Sequence, residues 1–114
     1  MKLRNIDLNL LVIVDALLDE AHVARAADRV GLSQPAASNA LARARILFND
    51  PLLIRSRSNG FRLTPLADGI REPLRRVLTD LAAIVESGPP DVANIRASVR
   101  LMYPMFRLRR LARR

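Results

Sequence analysis

The chain has 114 residues, half of them hydrophobic, with one histidine and no cysteine. This length allows one small domain plus an appendage, and the lack of cysteine excludes disulfide bonds and thiolate metal sites. We therefore expect neither a metal site nor a cofactor. The net charge of +8 is unevenly placed, because residues 33–64 carry five arginines against Asp50 alone and residues 91–114 carry seven against Asp91 alone.

The first predicted element is a helix over Asp7–Glu20, which begins near Asn5 or Asp7 because both are good N-caps. Its apolar stretch resembles a signal peptide only superficially, since acidic residues interrupt it and it is too short to cross a bilayer. We expect a cytoplasmic protein that does not enter membranes. Apolar residues cover more than one face, so this helix should be buried on two sides, by its own domain and by another helix.

The second stretch, residues 23–42, has the pattern of a helix-turn-helix. Val23, Ala26, Ala27 and Val30 recur at helical spacing, and Gly31 ends that helix. His22 precedes it and is read as a surface or capping residue. Ser33 then provides an N-cap and Pro35 falls in the first turn of a second helix. Its inward stripe is predicted to consist of Ala37, Leu41, Ala44 and Phe48.

Four uncharged residues remain on the outside of this second helix near its start: Gln34, Pro35, Ser38 and Asn39. Amides and hydroxyls both donate and accept hydrogen bonds, which suits them to reading base edges in the DNA major groove. A plain helical hairpin needs the caps and the stripes but not these outward residues. Ser33 and Arg43 complete the candidate DNA-binding residues of this helix.

A β-hairpin is predicted next, over residues 52–64. Asn59-Gly60 lies between two alternating runs, with strands at roughly Leu53–Ser58 and Phe61–Thr64. Arg55 and Arg57 are two apart, hence on one strand face, and Arg62 lies on the returning strand. Such a wing could reach phosphates or a narrow minor groove, although any one of these arginines could simply solvate an edge strand.

A long helix is predicted over Pro65–Ser87, with Thr64 as N-cap and Pro65 at the first helical position. A heptad-like seam runs along it, which could pair two subunits or could fold back on its own domain. Ser87-Gly-Pro-Pro90 then breaks the chain, Ile95–Leu101 alternates like a strand, and Met102–Arg114 is Arg-rich. The seam comprises Ile70, Leu74, Val77, Leu81 and Ile84.

Three segments of the chain resemble the N-terminal domain of LysR-type transcriptional regulators, and they are similar to its nodulation-regulator-like branch. The segments are GLSQPAASNALARAR, NDPLLIRSR and FRLTPLA. The resemblance covers about residues 5–87. It implies a mainly α fold: a winged helix-turn-helix domain of three helices plus a hairpin wing over 1–64, followed by a linker and dimerisation helix over 65–87. Residues 88–114 would be the remnant of a missing effector domain, so the chain is expected to be truncated.

By the same resemblance, Gln34, Pro35 and Ser38 would contact bases, and Arg55 and Arg57 would work from the wing. Family members bind double-stranded DNA at interrupted palindromes, which implies a homodimer here. Some positions depart from the family pattern. Asn39 stands where Arg is common, His22 where Ser or Thr is usual, and Ala44 where Leu is usual, which removes a core anchor at roughly 2–5 kcal/mol if nothing refills the space. Ile46 is expected to point away from the core, and its spacing offers no physical explanation for an apolar residue there.

The predicted function is therefore a sequence-specific DNA-binding regulator that lacks its own ligand sensor. No catalytic residues are predicted, because no nucleophile–base pair, carboxylate pair or phosphate loop is visible. The chain could form mixed dimers with a full-length relative. Two alternatives stay open: a protein-interaction module whose seam binds a partner, or a non-functional remnant. The arginine bias also suggests that the last dozen residues come from a frameshift in GC-rich DNA.

Overall fold

The first three α-helices of this chain have a cap residue at both ends. The computed structural model describes residues 2–57 and 60–87. A short 3-10 turn over Leu3–Asn5 precedes α1 (Leu8–Glu20), α2 (Val23–Val30) and α3 (Gln34–Phe48). The hairpin strands β1 (Leu53–Arg55) and β2 (Phe61–Leu63) follow, and α4 spans Pro65–Ser87. The described chain is therefore mainly α, with three helices and a wing followed by a long helix, as the sequence predicts.

The helix starts are set by side chains that accept hydrogen bonds from first-turn amides, which otherwise lack partners. Asp7 accepts from the Asn9 amide at 2.9 Å, which decides the start of α1 in favour of Asp7 over Asn5. His22 Nδ1 accepts from the Arg25 amide at 3.2 Å, so the capping interpretation of this residue is confirmed.

The chain divides into two compact units, residues 1–75 and residues 76–114. In the first unit, α1, α2 and α3 pack on one another around a core rich in alanine. Interhelical distance depends on the side chains at the contact, so alanines allow close approach. The fully buried Ala44 belongs to this core rather than to the surface. The buried core residues are Leu10, Val14, Ala16, Leu17, Leu18, Val23, Ala26, Ala27, Ala37, Ala40, Leu41, Ala44, Leu52, Leu53 and Ala67.

The wing is an antiparallel hairpin in which Leu53 pairs with Leu63 and Arg55 pairs with Phe61. The expected strand bounds were too long: β1 ends at Arg55 rather than Ser58, and β2 ends at Leu63 rather than Thr64. The Ser56 amide donates to the Gly60 carbonyl at 2.9 Å, which closes the loop one residue after the last strand pair. Arg57 consequently lies beyond the strand, so the prediction that it shares a β1 face with Arg55 was wrong.

The fourth helix takes part in both units. Within the first unit, Ile70 and Leu74 are half-buried against the core, so the start of the predicted seam serves its own domain. Among the described residues of the second unit, Val77 and Ile84 are about half exposed, at 50% and 48%, and Leu81 is half-buried. The strand and the basic segment expected beyond residue 88 lie outside the described residues.

Candidate nucleic-acid interface

The start of α3 is fixed by two local signals. Gly31 takes the left-handed conformation (φ 73°) that closes α2, and the Ser33 hydroxyl then accepts from the Ala36 amide at 3.2 Å. Both features match the sequence prediction, and together they make Gln34 the first residue of α3. Ser33 is itself exposed beside the helix end, but its hydroxyl is already engaged in the cap.

The outward face of α3 carries the predicted reading residues. Gln34, Pro35, Ser38 and Asn39 are all exposed, whereas Ala37, Leu41 and Ala44 face the core and Phe48 is half-buried. Ala40, which the predicted inward stripe omitted, is also buried at 3% exposure. Four uncharged polar or small side chains are thus free to approach a ligand at the positive end of a helix.

A notch of about 390 Å³ separates α3 from the wing, and we call it the α3–wing notch. Gln34 and Ser38 line it from α3, Arg55 and Phe61 line it from the hairpin, and Arg45 contributes its side chain. Val23 and Leu41 complete the lining. Three of the sequence-predicted site residues, Gln34, Ser38 and Arg55, are therefore brought together in space although the chain separates them by up to 21 residues.

Arg55 is held in this notch by an aromatic ring. Its guanidinium carbon lies 5.2 Å from the centroid of Phe61, its partner across the hairpin. A cation over a ring at this distance makes a favourable cation–π contact. Because directly opposed strand residues share a face, Ile54 and Arg62 point to the opposite side of the hairpin. Arg55 and Arg62 thus point to opposite sides of the hairpin. The alternation within each strand does not show this difference, because it depends on how the two strands pair.

Arg43, another candidate DNA contact, is engaged within the domain. Its guanidinium donates to the Asp7 carboxylate at 2.9 Å, and its side chain remains 56% exposed. The hydrogen bond from Arg43 holds the pKa of Asp7 below its usual value. Arg43 therefore ties α3 to the cap of α1.

Arg45, which is not among the residues predicted from the sequence, joins α3 to the wing. Its Nε donates to the Pro51 carbonyl at 2.9 Å and its terminal nitrogen donates to the Leu53 carbonyl at 3.0 Å. Both acceptors are backbone oxygens, which every residue carries, so the contact cannot be predicted from residue types. These two hydrogen bonds fix β1 relative to α3.

A cluster of ion pairs that connects α1 with α2 and α4 was also not predicted from the sequence. Asp19 pairs with Arg29 and with Arg71 and Arg75 of α4, and Asp15 pairs with Arg75 at 3.3 Å. The hydrogen bond from Arg29 is the main cause of the lowered pKa of Asp19, and the same contact raises the pKa of Arg29. These arginines are paired with carboxylates.

Within residues 2–57 and 60–87, no helix is both long and apolar enough to cross a membrane. The same residues contain no group of three or more His, Cys, Asp or Glu side chains placed to hold a metal ion.

The family model described as "Bacterial regulatory helix-turn-helix protein, lysR family" matches residues 8–68. The chain is similar to the HTH-type transcriptional regulator SyrM 2 of Sinorhizobium fredii, with 41% identity over 102 residues, 90% of this chain and 30% of that protein. It is similar to Nodulation protein D 1 of Mesorhizobium japonicum, with 41% identity over 90 residues, 79% of this chain and 28% of that protein. The chain thus spans about a third of these relatives.

Among solved structures, the crystal structure of the CbnR_DBD-DNA complex superposes with a TM-score of 0.61 and 27% sequence identity. The match covers 72% of this chain and 92% of that one. The shared architecture is a winged helix-turn-helix followed by a helix, which confirms the fold class expected from the sequence.

Proposed function

This chain belongs to the lysR family of bacterial regulatory helix-turn-helix proteins, and we propose that it binds double-stranded DNA in a sequence-specific manner. In this proposal α3 lies in the major groove and Gln34, Pro35, Ser38 and Asn39 face base edges. The observation that carries it is the joint placement of Gln34, Ser38 and Arg55 around the α3–wing notch. The chain would then act by occupying a site in the cytoplasm rather than by catalysis.

The charge distribution supports sequence-specific binding to DNA over a purely electrostatic attraction to it. The exposed start of α3 is uncharged, while Arg55 and Arg62 stand on the adjoining hairpin. Phosphate contacts position a protein on DNA and base contacts specify the sequence. An uncharged helix start beside a basic wing provides both kinds of contact. Asn39, where the resembled family commonly has Arg, would pair with adenine, whose N6 and N7 match an amide.

We propose further that the chain acts as a homodimer on an interrupted palindrome. Val77 and Ile84 are seven residues apart on α4, hence on one helix face, and both are about half exposed. Leu81 lies between them on the seam. The dimer contact would use these three residues, while Ile70 and Leu74 brace α4 on the core. The same face could pair with a full-length relative or bind another protein partner.

Selection of bound duplexes from a random pool tests the proposal, with the purified chain and a salt titration of the winning sequence. We expect an enriched motif repeated with two-fold symmetry, and an affinity that falls with salt by roughly 0.9 powers per phosphate contact. Recovery of no motif would contradict sequence-specific binding. A single unrepeated motif would contradict the dimer while leaving DNA reading intact.

A further inference from the structure

We propose that the α3–wing notch is a receptor for a single backbone phosphate of DNA, and that Phe61 positions Arg55 to bind it. This inference rests on the proposed function and deepens it. It divides the roles of the candidate residues: Arg55 and Ser38 fix the register of α3 on one strand, while Gln34, which also lines the notch, is left to read the neighbouring base.

The first support is the orientation of Arg55. An exposed arginine normally samples many rotamers, and ordering it on binding costs free energy. Here the guanidinium lies 5.2 Å from the centroid of Phe61 and faces the notch. The aromatic contact leaves the N–H groups at the edge of the guanidinium plane available as donors. Arg55 therefore presents its donors before DNA arrives.

The second support is the chemistry around it. Arg55, Ser38 and Gln34 all line the notch, and each can donate hydrogen bonds. Arg45 lines it too, with Nε and a terminal nitrogen already bound to carbonyl oxygens, so it adds positive charge while holding the wall in place. None of the described residues that line the notch is acidic. An anion with several acceptor oxygens fits such a set of donors.

The third support is the position of the notch beside α3. A helix that lies in the major groove has base edges in front of it and the sugar–phosphate backbone along its flanks. The wing adjoins a flank of α3, since Arg45 ties the helix to Pro51 and Leu53. A donor held between helix and wing therefore meets the backbone. Arg62, on the opposite hairpin face, has no such placement against α3.

The test replaces individual phosphates of a selected half-site by neutral methylphosphonates and measures the affinity of each duplex. For the unmodified chain, we expect one position in each half-site at which neutralisation lowers affinity about tenfold to a hundredfold, as for a charge-assisted contact. In Arg55→Ala, neutralisation at that position should cost nothing further. In the matched control Arg62→Ala, the full loss at that position should remain.

Phe61 is tested as a positioning residue through the same readout. Phe61→Leu should reduce the phosphate-specific loss at that position, and Phe61→Tyr, which keeps the ring, should restore it. Thermal unfolding of each variant separates a lost contact from a lost fold. If Phe61→Leu weakens binding equally to all duplexes, Phe61 is only a packing residue and its assigned role is overturned.

Two results would overturn the phosphate site itself. One is an additive loss, in which Arg55→Ala weakens binding by the same factor at every methylphosphonate position. The other is a dependence of Arg55 on base substitutions in the minor groove instead of on a phosphate. Either leaves sequence-specific binding intact, because the unmodified chain still prefers its selected duplex. Absence of that preference would instead remove the proposed function and this inference together.

Discussion

The Thr64 hydroxyl donates a 2.6 Å hydrogen bond to the Asp50 carboxylate while it accepts another from the Ala67 amide at 3.1 Å. Asp50 also accepts from the Leu52 amide at 2.8 Å. One hydroxyl thus connects the turn after α3, the beginning of the wing and the first turn of α4. Thr64 is buried, at 4% exposure, so these hydrogen bonds are shielded from water.

Thr64→Val should destabilise the fold by about 2–4 kcal/mol, because it removes a helix cap and a hydrogen bond to a carboxylate together while preserving shape. Urea denaturation measures the change. Thr64→Ser keeps the hydroxyl and should lose much less. A loss in Thr64→Val no larger than the loss in Thr64→Ser would contradict a stabilising role for these hydrogen bonds.

The Asp19 cluster should make stability depend on pH. The pKa of Asp19 is lowered in the folded chain by Arg29, so its contribution is present above its ordinary value of about 3.9 and is lost as pH falls through the lower folded value. The melting temperature of the unmodified chain should therefore drop below about pH 4. Asp19→Asn should melt lower at neutral pH and show a shallower acid decline. Parallel pH profiles would contradict this role.

Ala21 ends α1 in the left-handed conformation, at φ 49°, without the freedom of glycine. An L-residue with a Cβ pays roughly 1 kcal/mol for this conformation, so Ala21→Gly should raise the free energy of unfolding by about that amount. Asn49 ends α3 at φ 51°, and Asn tolerates this region, so Asn49→Gly should gain less. A gain of similar size at both positions would show that the Cβ strain at Ala21 is not the cause.

Charges on the exposed face of α4 should disrupt pairing without damaging the domain. We expect Val77→Arg with Ile84→Arg to abolish binding to a palindrome while single half-site binding persists, because both residues are about half exposed. Leu74→Arg is unsuitable, since Leu74 packs on the core. Sedimentation should show a dimer only for the unmodified chain. A monomer before mutation would refute the dimer.

Elements that depend on neighbours in the chain were predictable. Asp7, Gly31, Ser33 and Thr64 mark helix ends within three residues, and the periodicity of α3 placed Gln34 and Ser38 on the surface. The clustering of these residues with Arg55 was not predictable, because it depends on how the wing packs.

The missed contacts have two different causes, distance along the chain and the use of backbone acceptors. Arg75 meets Asp15 over 60 residues, and Arg45 meets backbone carbonyls that any sequence would supply. The wing error has a local cause. The Ser56–Gly60 hydrogen bond ends β1 early, whereas alternation alone extended the strand to Ser58. Charge counts placed the basic excess in the right block, but only the fold shows that Arg43 pairs with Asp7.

The most direct test of DNA reading by α3 is the ratio of affinities for the selected duplex and random DNA at one fixed salt concentration. Gln34→Ala should lower this ratio by roughly 5- to 150-fold, which corresponds to about 1–3 kcal/mol for one good base contact. Ile46→Ala, a change at an exposed α3 residue far from the helix start, should leave the ratio unchanged. An equal loss on both DNAs in Gln34→Ala would contradict the account.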